Sequence, residues 1–221
     1  MKPSELFNTS DRERIEAAVR DAESGTSGEI VVSVTRACDA YAAAPWRLGA
    51  TLAALALLAA GALEWHSSAY TPLPVRGLPV WGLLALQIAA LALARLLCRL
   101  EVIRRLLVSE AEVEARAQRQ ALRAFAEHGV RKTTERTGIL IFVALFEHRV
   151  VVLGDEAVNA SLHPDESWQG IVDLVLEGIR AGEPTQGIVD AVASCGRILS
   201  HTLPAAPGDR DQIPHALVLE D

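Results

Sequence analysis

The sequence predicts an α/β fold: one small α/β domain, with a two-helix transmembrane hairpin inserted after the first strand. Three observations carry this. Two apolar stretches without an internal charge, Leu48–Leu63 and Gly77–Ala94, lie between the strand-like segments, and uncharged runs approaching ~17–25 residues read as membrane helices. Glu29–Thr35 and Gly138–Phe146 are rich in β-branched residues, as strands are. The remaining segments repeat apolar residues at helical spacing.

Size and composition fit this picture. At 221 residues there is room for one ordinary domain and a membrane element. Half of the residues are apolar and 22% are charged, so apolar and polar segments have to be separated along the chain. A net charge of −7 gives no long-range attraction for phosphate backbones, which argues against nucleic acid as a partner. Cys38, Cys98 and Cys195 are widely spaced and read as buried small residues in a reducing compartment. The opening Met1–Glu5 runs into a polar helical pattern, so no cleaved secretory signal is expected.

A helix is predicted from Ser10, whose spacing to Glu13 fits a capping box. Ile15, Ala18, Val19 and Ala22 form its stripe, and Gly25 and Gly28 end it. In Glu29–Thr35 the residues Ile30, Val32 and Val34 alternate with polar ones, as in a half-covered strand. The first apolar segment, sixteen residues between Arg47 and Glu64, is short for a bilayer core of ~30 Å. Trp46, Trp65, Tyr70 and Trp81 flank the two segments, where amphipathic rings prefer the interface. Arg36, Arg47, Arg95, Arg99, Arg104 and Arg105 lie on the domain side and only Arg76 in the connecting loop. The positive-inside rule then puts the domain and both termini in the cytoplasm, on a two-pass protein of the plasma (inner) membrane.

Gly49, Ala53, Ala56 and Ala60 make one side of the first segment smooth. Smooth faces let helices pack closely in lipid, so membrane lipid is expected as one partner and a homo-oligomer or a hetero-complex with another membrane protein as the second. The second segment continues without a breaker into a helix reaching about His128, with Leu106, Val113, Ala117, Ala121 and Phe125 as its stripe. Glu112–Arg116 and Arg123–Glu127 have the spacing of surface ion pairs. Gly138–Phe146 reads as a central strand covered on both faces, joined to a strand from Arg149 by the two residues Glu147 and His148. Two helices follow. One starts at about Asp165 with Trp168, Ile171, Val172, Val175 and Ile179 inward, and one starts at Pro184 with Ile188, Val192, Cys195 and Leu199 inward. Residues 204–221 read as an extended tail. The expected division is 1–45 and 98–203 for the domain, 46–97 for the hairpin, and the tail.

No phosphate-binding loop, dinucleotide fingerprint, HExxH, GxSxG or EF-hand loop is present, which removes the enzyme classes those motifs mark. The six histidines are scattered and read as surface or capping groups. One acidic group stands out at predicted strand ends, where α/β folds place sites: Asp39 after the first strand, and Asp155 and Glu156 after the last, with Asp165 and Glu166 close by. These oxygens could hold Ca²⁺ or Mg²⁺, although the spacing matches no cation loop and no cofactor is required by it. A residue just past a strand end is also expected to be exposed, so Asp155 should bear no packing load.

The segments Gly28-Glu29-Ile30-Val31-Val32 and Thr137–Leu145, together with Arg149-Val150, Gly154, and Gly187 with the helix to Leu199, resemble the TPM-domain family over about residues 10–40 and 110–203. The resemblance implies a compact mixed sheet flanked by helices. It also implies a family of membrane-associated proteins with roles in photosystem repair, receptor accessory functions and the bacterial envelope. Some members are described as acid phosphatases. The family's Gly-x-Gly-x-Glu pattern after the hairpin reads Gly154-Asp155-Glu156-Ala157-Val158 here, with an acid in place of the second glycine at an inherited phosphate or metal site. The expected function is a membrane-anchored, non-catalytic module that docks other membrane or envelope proteins. The alternative is a phosphatase assisted by a divalent metal.

Overall fold

The computed structural model describes residues 2–70, 79–133, 136–162, 167–204 and 217–221. The expectations that fall on Arg76, Gly77, His163, Asp165, Glu166 and His215, and on the side chain of Tyr70, lie outside the described residues. The chain divides into two compact units, Met1–Cys38 with Val113–Asp221, and Asp39–Glu112.

The first unit is built on a four-stranded mixed sheet. Its strands are β1 (Glu29–Thr35), β2 (Gly138–Ala144), β3 (Arg149–Gly154) and β4 (Val218–Glu220), in the order β3-β2-β1-β4. β1 runs parallel to β2, with Glu29 opposite Gly138 and Thr35 opposite Ala144. It is also parallel to β4, whereas β2 and β3 are antiparallel. Helices α1 (Pro3–Leu6), α2 (Thr9–Glu23), α7 (Glu156–Ser161), α8 (Trp168–Ala181) and α9 (Pro184–Thr202) also belong to this unit, as does most of α6 (Glu110–Glu127).

The sheet is covered on both faces. Ile30, Val32 and Val34 of β1 and Ile139, Ile141 and Val143 of β2 pack with Ile15, Val19, Ile171, Val175, Ile188, Val192, Cys195 and Leu199 from α2, α8 and α9. On the other face Val31, Leu140, Phe142 and Val151 meet Ala117, Ala121, Ala124 and Phe125 of α6. Each fully buried aliphatic side chain of this kind contributes about 1.5–3 kcal/mol relative to its exposed state. The unbroken apolar run of β2 is thus the sheet's centre, as its pattern predicts.

Several local expectations are corrected. β1 is buried along its whole length and is not half-covered, because α6 and β4 cover what its alternation reserved for water. The cap of α2 is Asn8, not Ser10: its side chain accepts from Asp11 N–H at 3.0 Å and Asp11 returns a bond to Asn8 N–H at 3.1 Å, two residues upstream of the box read from spacing. The connection between β2 and β3 is Leu145–His148, four residues long, with His148 at φ 51°. His148 N–H donates to Leu145 carbonyl at 3.3 Å, so a left-handed non-glycine residue closes the turn.

After β3 the short α7 precedes α8, where two helices were expected. Ile179 is 37% exposed and does not point inward. The tail ends in β4, which docks through Ser4 N–H and hydroxyl donating to Asp221 carboxylate at 3.1 and 2.7 Å.

The second unit holds α3 (Ala43–Tyr70), α4 (Val80–Leu97) and α5 (Glu101–Leu106). Helix α3 has 28 residues and is far longer than the sixteen-residue apolar run at its centre. Its Ala43–Leu63 portion is long and apolar enough to cross a membrane, by length and composition, while Trp81–Leu97 in α4 is shorter. The two helices pack on each other: a Cβ at Gly49 would lie 2.6 Å from Leu91 Cδ2 and 3.6 Å from Ala94 Cβ, and Gln87 Nε2 donates to Ala53 carbonyl at 3.4 Å. These pairs fix an antiparallel hairpin. Gly49 is buried and Ala53, Ala56 and Ala60 are partly covered, so the smooth side of α3 is used inside the hairpin.

The single long helix expected from the second apolar segment to His128 is three helices. Cys98 and Leu107 close α4 and α5, and Ser109 hydroxyl accepts from Glu112 N–H at 3.2 Å, capping α6. The Ser109-Glu110-Ala111-Glu112 signature of that cap is in the sequence and outweighs the continuous periodicity. Leu106 is 81% exposed, contrary to its place in the expected stripe. Arg123 pairs with Glu127 at 2.8 Å, and Glu112 pairs with Arg47 at 2.9 Å.

Candidate functional site

The end of β3 and the start of β2 lie side by side, since Gly154 pairs with Ile139. Around them is a cleft of about 450 Å³ lined by Leu122, Phe125, Arg131, Arg136, Asp155 and Asn159, among others. Backbone geometry builds it. Asp155 N–H donates to Gly138 carbonyl at 2.9 Å and Ala157 N–H to Arg136 carbonyl at 3.3 Å, and Arg136 itself takes φ 56°. Asp155 is then the N-cap of α7, accepting from Glu156 N–H at 2.8 Å. This places a carboxylate over the helix's positive end.

Asp155 is only 8% exposed, so the expectation of an exposed residue is corrected. One oxygen serves the cap, and Oδ2 is buried without a hydrogen-bond partner among the described residues. Glu156 is exposed and pairs with Arg136. Asn159 donates to Gly154 carbonyl and accepts from Trp168 Nε1 at 3.0 Å. Asn159 and Trp168 hold the wall of the cleft against α8, and nothing in their spacing marks them beforehand.

Of the acidic group read from the sequence, Asp155 and Glu156 line this cleft, and Asp165 and Glu166 lie outside the described residues. The chain leaves β1 at Thr35, which aligns with Ala144 and Arg149, whereas Asp155 follows Gly154 at the other end of the sheet. Antiparallel pairing of β2 and β3 puts the two strand ends apart. Asp39 belongs to the second unit, where its carboxylate accepts from Tyr41 N–H at 3.0 Å in a turn preceding α3. No group of three or more His, Cys, Asp or Glu residues that could hold a metal ion occurs among the described residues. Ca²⁺ and Mg²⁺ take about six or more oxygens. The carboxylates that line this cleft are those of Asp155 and Glu156.

A second buried carboxylate lies at the other end of the sheet. Glu147 is fully buried in the β2–β3 turn and accepts from Cys38 N–H at 2.9 Å. Burial first, and then the charge and hydrogen bond of Glu147, push the Cys38 thiol far above its usual range. It is held as a protonated thiol and is a poor nucleophile. Burial pushes the Cys195 thiol up to about 12.

Comparison with known proteins bears on this geometry. Residues 101–198 match the TPM domain. The chain carries a TPM domain. The matched stretch holds β2, β3 and helices α5 to α8 with most of α9. It leaves out β1, although β1 pairs with β2 along its full length, so residues preceding the match complete the TPM sheet. The NMR structure of BA42 protein from the psychrophilic bacterium Bizionia argentinensis is similar, with a TM-score of 0.58 and 18% identity over 98% of this chain and 97% of that one. That likeness concerns the fold alone. No curated protein matches the chain at a significant level.

Proposed function

We propose that the chain is a membrane-anchored, non-catalytic TPM-domain module that docks other membrane or envelope proteins. The α3–α4 hairpin would be its anchor, and its TPM domain and both termini would be cytoplasmic at a plasma (inner) membrane. One observation carries the anchor. The surface of α3 between Arg47 and Glu64 is largely apolar and exposed, including Leu55, Leu58 and Leu63, and the flanking Trp46 and Trp65 are nineteen residue steps apart, about 28 Å along the helix. That is close to the ~30 Å of a bilayer core, with indole rings at both limits. Water disfavours a continuous apolar surface of this size. Leu84, Ile88 and Leu93 continue it on α4, and Gln87, the one polar residue of that segment, is turned toward α3, as polar groups are in lipid.

The cytoplasmic side follows from the arginine bias. Docking rests on the resemblance and on the outward apolar faces. Expressed in bacteria, the full chain should stay in the membrane pellet after an alkaline carbonate wash and leave it only with detergent. Recovery in the supernatant without detergent would sink the anchor.

A second reading, phosphate-ester hydrolysis, is favoured by a cleft whose lining includes Asp155, Arg131 and Arg136. Turnover of a generic phosphate ester by detergent-purified protein, with and without Mg²⁺ or Ca²⁺, separates the two. Under the module reading, activity does not exceed that of Asp155→Asn.

A further inference from the structure

We propose that α5, with the arginines on either side of it, is an interfacial foot that binds the anionic headgroups of a phospholipid surface; this rests on the anchor reading above. The chain turns sharply at the end of α4, where Cys98 closes the helix and Leu100 is extended at φ −78° and ψ 118°. The six residues that follow present their apolar side outward. Val102 is 73% exposed and Leu106 81% exposed, and residues four apart share one face of a helix. A helix that served only to lead into a water-soluble domain would cover that face.

Charge identifies the occupant. Arg95, Arg99, Arg104 and Arg105 fall within eleven residues against one acid, Glu101, in a chain of net charge −7. The antiparallel contacts of Gly49 with Ala94 and of Ala53 with Gln87 place Arg47 at the same end of the hairpin as Arg95. The other end carries Trp65 and Trp81. One end is therefore basic, and it is continuous with the exposed apolar surface of α4 through Leu93 and Leu96. Glu112 pairs with Arg47 at 2.9 Å, and Glu110 approaches Arg105 at 3.8 Å. Arg95 and Arg99 are exposed and are the groups best placed to meet phosphates. An exposed apolar face beside arginines is the pattern of a helix lying in the headgroup region, and a basic juxtamembrane segment favours anionic lipid.

The test uses the full chain in vesicles of phosphatidylcholine alone or in equal mixture with phosphatidylglycerol. Flotation with the vesicles is scored first. Spin-labelled lipids then report which headgroup is motionally restricted at the protein. The parent should select phosphatidylglycerol over phosphatidylcholine by about tenfold, with the preference falling as salt rises. Arg95→Gln with Arg99→Gln should bring the ratio close to one while flotation is unchanged. Val102→Asn with Leu106→Asn, which alters exposed side chains only, should reduce it at least threefold.

A parent that floats but shows no headgroup preference overturns the foot and leaves the anchor standing. So does a preference that survives both double variants, or a change confined to the size of the detergent-solubilised assembly, which would mark a contact between copies. A parent that does not float overturns the anchor and the foot together.

Discussion

Asp155 performs a local task and carries a cost at the same atomic site. One oxygen caps α7 at 2.8 Å, while Oδ2 is buried without a partner among the described residues, a desolvation penalty that takes back only part of what the cap contributes. Asp155→Ala removes both, so we expect a net loss of about 1 kcal/mol, the usual worth of such a cap. Asp155→Asn keeps the cap and should stay near the parent; hydrogen exchange of the β2 amides measures both. Cys195 gives a pH dependence with a defined sign. Its folded thiol is held up to about 12 from 9.0 by burial, so the folded state keeps a proton that the unfolded chain releases. The stabilisation is complete below about pH 9 and is lost as the pH rises toward 12, at up to about 1.4 kcal/mol per pH unit. Urea unfolding followed from about pH 8 to about pH 10 should show a smaller fall for Cys195→Ala than for the parent. An equal fall would assign the alkaline instability to other groups. The acids at the strand ends were legible as residues, but their separation was not, because strand direction is not written in local spacing.

Among the elements, the crossing of α8 and α9 is a contact that a single methyl group would disturb. A Cβ at Gly178 would lie 2.6 Å from Gly187 Cα, and one at Gly187 would lie 2.9 Å from both Gly178 Cα and Leu174 carbonyl oxygen. The obstructing atoms are backbone, so they yield only if the helices part. Gly187→Ala should therefore destabilise the TPM domain by about 1–3 kcal/mol, the cost of overpacking, and the same β2 amides would report it. A variant as stable as the parent would mean that the helices separate freely. The sequence identified this helix pair and the inward set Ile188, Val192, Cys195 and Leu199, since a 3.6-residue repeat is a local property. It did not identify β4. Three residues, Val218–Glu220, carry too little pattern, and only their alignment with Ser33–Thr35 makes them a strand.

At the scale of the whole molecule, the hairpin reading gives an orientation that can be measured. A cysteine at Ser67, between the two apolar segments, should react with an impermeant maleimide in intact cells, and one at Ser4 only after permeabilisation. The reverse result would invert the topology drawn from the arginines. The sequence by itself determined the kinds of element: the two apolar helices, the double-covered β2, the β2–β3 hairpin and the TPM resemblance. Each depends on composition or on a period of 2 or 3.6 residues, which neighbours along the chain impose. Only the tertiary structure decided that β1 is central and buried on both faces, because its polar positions are covered by α6 and β4 from distant parts of the chain. It also decided that Gly49 and Ala53 pack within the hairpin, and that the end of β1 and Asp155 lie at opposite ends of the sheet. Those outcomes depend on pairing direction and on which surfaces meet, and both are set by burial across the fold and not by adjacent residues.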